Sequence, residues 1–579
     1  VESAVLAGDV RCAYGKPAEL RRLAPSVGRK VPEECDHLEF AVQYNSSNYS
    51  SGIVKISNWG KEEAMIQNPV LSGFHPDPSM ICVDGTFYIA NSTFEYFPGV
   101  RISASRDLAN WECISTPVTD PKWLNMAGNK KSGGIWAPCL SYSDGIFYLV
   151  YTDVKQWREY PFKDAHNYMI TARNIAGPWT EPVYMNSIGF DTSLFHDENG
   201  KKYFINSEWD YRKPGVETFS GILVTEVDPV TFAFIGETQK IFCGTDRGLV
   251  EGPHIYKKGG WYYLLTAEGG TFYEHAATVA RSKNIEGPYE MHPNKHICSA
   301  MGHPEHPLQK TGHASWCQGP DGRWFLAFLC GRPVDGAHCI LGRETGINEI
   351  IWKNDWPYLK NETLLVDEAL EGYGEKQEKK CVEYQFGDPE FYLNFNTLRT
   401  PAKHQIGPKN TLRLYGAESP LSSQNQSMFV RRQTDFHFEA TTCLTLPFHR
   451  FQQFAGLIYR YDEDNQYLLK MSYDEALQKQ VLAIMAFRDG QYSAPLAGKE
   501  IPIEGDSVWL RVTADRAKAG FAYALDGKTY IDIDYEIDAL ILSDDHCLGF
   551  TGAYVGMAAY DLYDHTSYAD FTYFRYLAL

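Results

Sequence analysis

The sequence predicts an all-β protein, a five-bladed β-propeller followed by a β-sandwich. Three observations carry this. A turn dipeptide followed by an aromatic-rich strand recurs five times at nearly even spacing, the chain beyond residue 385 alternates apolar and polar residues between short turns, and helical periodicity there is scarce. At 579 residues the chain is too long for one ordinary domain.

Residues 1–64 show no sustained period and are expected to be a disordered extension or a translated leader. Lys61-Glu62-Glu63 can be encoded by a ribosome-binding sequence just ahead of Met65, which makes Met65 a candidate start. Residues 65–360 hold the repeats: VDGTFYIANS, SDGIFYLVYT, ENGKKYFINS, KGGWYYLLTA and PDGRWFLAFL. Asp-Gly, Asn-Gly and Gly-Gly suit tight two-residue hairpins, whose central residues need φ > 0. The second glycines, Gly85, Gly145, Gly200, Gly260 and Gly322, are separated by 60, 55, 60 and 62 residues. A further strand and turn follow in SRDLANW, TARNIAGPW, TEVDPVTFAF and ARSKNIEGPY. Five units of about four strands each fit radial repetition, which protects sheet edges.

Upstream of each hairpin lies a strand that would line the propeller channel. Eight or nine residues before each glycine stand Asp77, Ala137, Asp191, Glu251 and His313. Equivalent positions on five blades converge on the axis, so three carboxylates are expected to meet there. Asp77 sits between Pro76 and Pro78, which an inner-edge strand tolerates because that edge needs no ladder donor. Residues 361–384 are polar and read as a linker, and 385–579 read as the sandwich.

Composition narrows the function. A net charge of −19 without a basic block disfavours nucleic acid and anionic membrane as partners, and no apolar stretch is long enough to span a bilayer. Aromatic residues make up 14%, which suits both strands and sugar-binding faces. Thirteen scattered cysteines without a CxxC pair read as reduced thiols, and a cytoplasmic location is expected. Assembly as a homo-oligomer is a further expectation.

Three converging acids repel one another and are costly to bury, so they mark chemistry or a cation. In glycoside hydrolysis one carboxyl is the general acid, a second activates water or attacks, and a third tunes the first. Glu251, with the longer reach, is the candidate acid, Asp77 the candidate base, and Asp191 the candidate pKa modulator. Phe94, Trp136 and Trp209 are candidate sugar-stacking residues, and Arg343 a candidate hydrogen-bond donor to substrate or carboxylate. A cation site is the second reading, with His313 as a possible ligand. The irregular histidines of HPNKHICSAMGHPEHPLQKTGH read otherwise as a loop.

From Met65 onward the chain resembles the two-domain β-xylosidases of glycoside hydrolase family 43. The resemblance runs through IQNPVLSGFHPDPS, STFEYFPGV, GGIWAPCLSY, FDTSLFHDENGKKY, EGPHIYKK, LLTAEGGT, EHAATVARSKNIEGPY, GHAS and LGRET. It implies an inverting exo-enzyme releasing D-xylose from non-reducing ends of β-1,4-xylooligosaccharides, with α-L-arabinofuranosidase as a side activity. It supports Asp77 as base, Asp191 as modulator and Glu251 as acid, and places Arg343, His313, Phe94, Trp136 and Trp209 at the sugar. No cofactor is required, although some relatives hold a divalent cation (Ca²⁺ is the candidate) near the His313 position. The sandwich should be concanavalin-like, with FTGAYVGM closing the active site and Tyr554 capping the pocket. His75 and Phe328 depart from the pattern, and His75, next to the base, could alter its pKa. The alternatives are a primary α-L-arabinofuranosidase and a non-catalytic sugar-binding propeller. A retaining fructan hydrolase lacks support, because its characteristic motifs are absent.

Overall fold

The computed structural model describes residues 65–158, 161–377, 380–445, 448–505 and 507–579, and the expectation for residues 1–64 lies outside them. Five four-stranded antiparallel sheets follow one another along the chain. Their innermost strands are Ser79–Val83, Gly134–Ser143, Gly189–His196, Glu251–Lys258 and Gln309–Gln318, each at one edge of its sheet. The hairpins form where the turn dipeptides stand. Asp84-Gly85 and Asp144-Gly145 take φ of 49° and 75°, then 54° and 77°, the left-handed pair that such two-residue turns require.

The inner strands share a defect. Asp77, Ala137, Asp191 and His313 have φ of 52°, 22°, 52° and 37°, and the ladders of the last four blades slip in register at this point. A bulge re-aims a side chain, and a non-glycine residue in the left-handed region costs about 1–3 kcal/mol. Blade four solves the problem differently. There the left-handed residue is Gly252, at 58°, so Glu251 lies one residue ahead of the kink. A Cβ on Gly252 would come within 2.7 Å of His313 Nε2.

The C-terminal region is a sandwich of an eight-stranded and a nine-stranded antiparallel sheet. Alternating residues of both fill one apolar core, with Leu457, Leu469, Leu510, Val512, Met557 and Phe571 among its members. Residues 361–384 are more than a linker. Ala369–Glu371 pairs with Met65–Gln67, and Cys381–Glu383 joins the sandwich strand Tyr568–Ala578. Two such pairings fasten the middle and the C-terminal end of the segment, which its polar composition did not reveal.

The domains share structure. Tyr96–Phe97, from the first blade, pairs with Phe395–Leu398 as the edge strand of the nine-stranded sheet. Lys310, buried on the fifth inner strand, reaches across to Asp544 at 3.1 Å and Asp545 at 2.7 Å. Removing that lysine would strand two acids in a dry interface, at a cost of about 3–5 kcal/mol. Cys339, Asp544 and Asp545 cluster closely enough to hold a metal ion, but the Lys310 ammonium already supplies the cation for the two acids. Among the described residues no helix is long and apolar enough to cross a membrane.

Candidate active site

The inner-strand kinks bring the three acids to one end of the channel, and each is buried. Asp77 is surrounded by donors. Ser92 Oγ donates to Oδ2 at 2.6 Å, Arg343 Nη1 to Oδ1 at 3.0 Å, and His313 Nδ1 stands 3.5 Å from Oδ1. Burial pushes the Asp77 carboxyl up, but Arg343, then His313 and Ser92, outweigh it and hold it below the ordinary range. Asp77 is therefore ionised at neutral pH.

Glu251 has the opposite setting. Burial, with the Asp77 charge adding to it, pushes it up to about 7 against the pull of Lys163 and Arg343. Asp191 is raised as well, first by burial and then by Glu251 and Asp77. Like charges in a dry site keep a proton between them. The Gly252 N–H donates to Asp191 Oδ2 at 3.2 Å and pulls against that rise without cancelling it. One carboxylate and one carboxylic acid thus coexist at the same pH, the split that acid–base chemistry needs.

Aromatic rings wall the pocket. Phe94 packs on Trp136 with centroids 5.9 Å apart, Trp136 on Phe190 at 5.7 Å, and Trp209 on Phe190 at 6.3 Å. Phe94, Trp136 and Trp209 thus belong to one aromatic cluster. The Arg343 guanidinium stands 5.1 Å from the Phe94 ring centroid, and its Nε and Nη2 donate to the Phe550 carbonyl at 3.2 and 3.0 Å.

Two residues went unrecognised in the sequence. Phe550, from the sandwich, inserts its ring among Phe94, Trp136 and Trp157 at 5.8, 5.5 and 4.5 Å. Ser132 Oγ accepts its N–H at 3.0 Å. Gly552 allows this approach, because a Cβ there would lie 2.6 Å from the Leu341 carbonyl oxygen. The signal was present: Phe550 opens the stretch FTGAYVGM, flanked by Gly549 and Gly552. Lys163 is the second. Its ammonium lies 3.7 Å from the Phe190 centroid, 4.2 Å from Trp209 and 4.8 Å from Trp136. Burial lowers its pKa to about 8, against the pull of Glu251 and Asp191. A lysine between Phe162 and Asp164 reads in sequence as a solvated loop residue.

Three expectations need correction. Tyr554 does not cap the pocket: it is fully buried, stacked on Tyr96 at 3.8 Å behind Phe74, and Phe550 takes the capping place. His75 does not tune the base. Its Nδ1 faces the Ser72 and Gly73 carbonyls, and burial with Arg432 and Arg101 nearby keeps it neutral. The histidine-rich stretch is not one loop, since His292 and His296 lie on the strand Glu290–Cys298 and His313 on Gln309–Gln318.

The fit of a cation at His313 is poor. Asp77, its nearest carboxylate, is held by the Arg343 cation, and among the described residues no group of three potential ligands includes His313. Paired carboxyls of this kind hydrolyse glycosides without a cofactor.

The profile of glycosyl hydrolases family 43 matches residues 66–357, and that of the beta xylosidase C-terminal concanavalin A-like domain matches residues 383–577. A beta-xylosidase of Bacillus subtilis is 44% identical over 88% of this chain and 99% of its own. Xylosidase/arabinosidase 43B of Humicola insolens is 45% identical over 88% and 97%. The crystal structure of xylan beta-1,4-xylosidase from Bacillus halodurans superposes with a TM-score of 0.85 at 45% identity, covering 88% of this chain and all of that one.

Proposed function

The chain belongs to glycosyl hydrolases family 43, and on that premise we propose that it is an exo-acting, inverting β-xylosidase. It would release D-xylose from non-reducing ends of β-1,4-xylooligosaccharides and act on α-L-arabinofuranosides as a side activity. The observation that carries this is the opposed protonation of Asp77 and Glu251 in one aromatic pocket. The relatives named for xylosidase activity, one of them also for arabinosidase, support the substrate class.

In this reading the terminal xylose stacks its apolar C–H face on Phe94 and Trp136. Asp77, held ionised by Arg343 and His313, takes a proton from water as that water attacks the anomeric carbon. Glu251 gives its proton to the leaving oxygen, and the product sugar is inverted. Asp191, held by the Gly252 N–H, is the proposed modulator, sharing a proton with Glu251 in the dry site. Phe550 closes the pocket and, through its carbonyl, fixes the Arg343 fork. No step runs through a metal. A Ca²⁺ ion, if bound beside His313, would draw on that imidazole and stay outside the acid–base steps. Free thiols at all eleven described cysteines support a cytoplasmic setting. A homo-oligomeric state is part of the proposal and is read by light scattering.

Proton NMR of xylobiose hydrolysis tests the central claim. α-Xylose should appear first and then mutarotate. Early β-xylose would overturn the assignment of Asp77 as base. Cleavage of arabinofuranosides but not xylobiose would favour the arabinofuranosidase reading.

A further inference from the structure

Two large rings stand in solvent beside the segments that carry Lys163 and Trp209. Phe162 is 59% and Tyr211 52% exposed, and their centroids lie 5.2 Å apart at an interplanar angle of 48°. A single exposed apolar residue needs no explanation, but two adjoining rings at the rim of a site mark a contact surface.

Their position says what the surface meets. Phe162 immediately precedes Lys163, and Tyr211 lies two residues beyond Trp209. The two segments are tied together, because the Trp209 indole N–H donates to the Pro161 carbonyl at 2.9 Å and the Lys163 ammonium rests 4.2 Å from the Trp209 centroid. The turn presenting Tyr211 is held as well: the Asp210 N–H donates to the Thr218 carbonyl at 2.9 Å, and Arg212 Nε donates to the Asp210 carboxylate at 2.8 Å. The pair therefore extends, toward solvent, the wall that starts at Glu251 and Lys163.

Chemistry sets the direction in which substrate leaves the pocket. The general acid protonates the glycosidic oxygen, so the leaving sugar lies on its side. On the opposite side Arg343 holds Asp77, and Phe94 and the Phe550 carbonyl pack against that guanidinium. A chain of more than two sugars therefore runs outward on the side of Glu251 and Lys163. Its next apolar sugar faces meet Phe162 and Tyr211.

We infer that Phe162 and Tyr211 form a stacking platform for the xylose units beyond the first leaving-group sugar. The inference rests on the xylosidase reading of the same site. It deepens that reading by making the enzyme sensitive to chain length rather than to the terminal linkage alone.

The test compares xylobiose with xylotetraose, using the wild-type protein and the double variant Phe162→Ala/Tyr211→Ala. Xylobiose ends before the platform and is the internal control. The variant should keep the wild-type kcat/KM on xylobiose and lose about five-fold on xylotetraose, the scale of one or two aromatic contacts. An unchanged ratio between the two substrates would overturn the platform while leaving the xylosidase reading intact. So would a variant whose only change is a different oligomeric mass by light scattering, because the rings would then serve a second copy of the chain. Failure of the wild type to cleave either oligosaccharide would instead sink the reading beneath the inference.

Discussion

The two walls of the pocket solve opposite problems with the same kind of residue. On one wall Asp77 is ringed by Arg343, His313 and Ser92, and a buried carboxyl stays charged. On the other, Glu251 faces Asp191 and Asp77, with Lys163 as the nearby cation, and a buried carboxyl keeps its proton up to about 7. Burial is shared and pushes both pKa values upward. The difference lies in what is aimed at each group. Donors and a fixed guanidinium outweigh desolvation at Asp77. A single lysine ammonium does not outweigh it at Glu251. The lesson is that placing charge, more than excluding water, assigns acid and base.

The largest test removes the groups themselves. Asp77→Asn should lower kcat/KM on xylobiose and on an activated aryl xyloside alike, by about 10⁴-fold, since both reactions need the water activated. Glu251→Gln should cost about 10³-fold on xylobiose and far less on the aryl xyloside, whose leaving group departs without a proton. Equal losses on the two substrates would erase the distinction between the walls.

Much of this contrast was legible in sequence, for a definite reason. The five hairpins fix where each inner strand begins, so residues far apart in sequence, such as Asp77 and Glu251, could be assigned to one channel mouth. The supporting shell was not legible. Lys163 lies in a loop whose path depends on the ring positions of Phe190 and Trp209. Phe550 comes from another domain, and its entry depends on the close backbone approach at Gly552. The offset in blade four was hidden as well, because counting back from Gly260 marks Glu251 and cannot show that the kink falls on Gly252.

Smaller changes sharpen the comparison. Activity should rise as Asp77 ionises and fall as Glu251 loses its proton, giving a bell whose alkaline limb lies near pH 7. Arg343→Lys removes the fork from Asp77 and the Phe550 carbonyl. Less of the ionised form is then favoured, so the acid limb should move to higher pH, with a loss of about 10- to 100-fold at the optimum. Lys163→Met takes away a cation that lowers the Glu251 pKa. The acid then keeps its proton longer, and the alkaline limb of kcat/KM should shift upward by roughly half a unit to one unit. A downward shift would mean that Lys163 acts on the substrate rather than on the acid.

The strand Tyr96–Phe97 belongs to the propeller by sequence and to the sandwich by hydrogen bonding. That makes the catalytic half a poor candidate for transplantation. A gene fragment ending near residue 360 would lose the partner strand of Tyr96–Phe97, the acids facing Lys310 and the Phe550 lid together. Shuffling of this enzyme during evolution, or its fusion to other modules in a reactor, would have to carry both halves as one indivisible cassette.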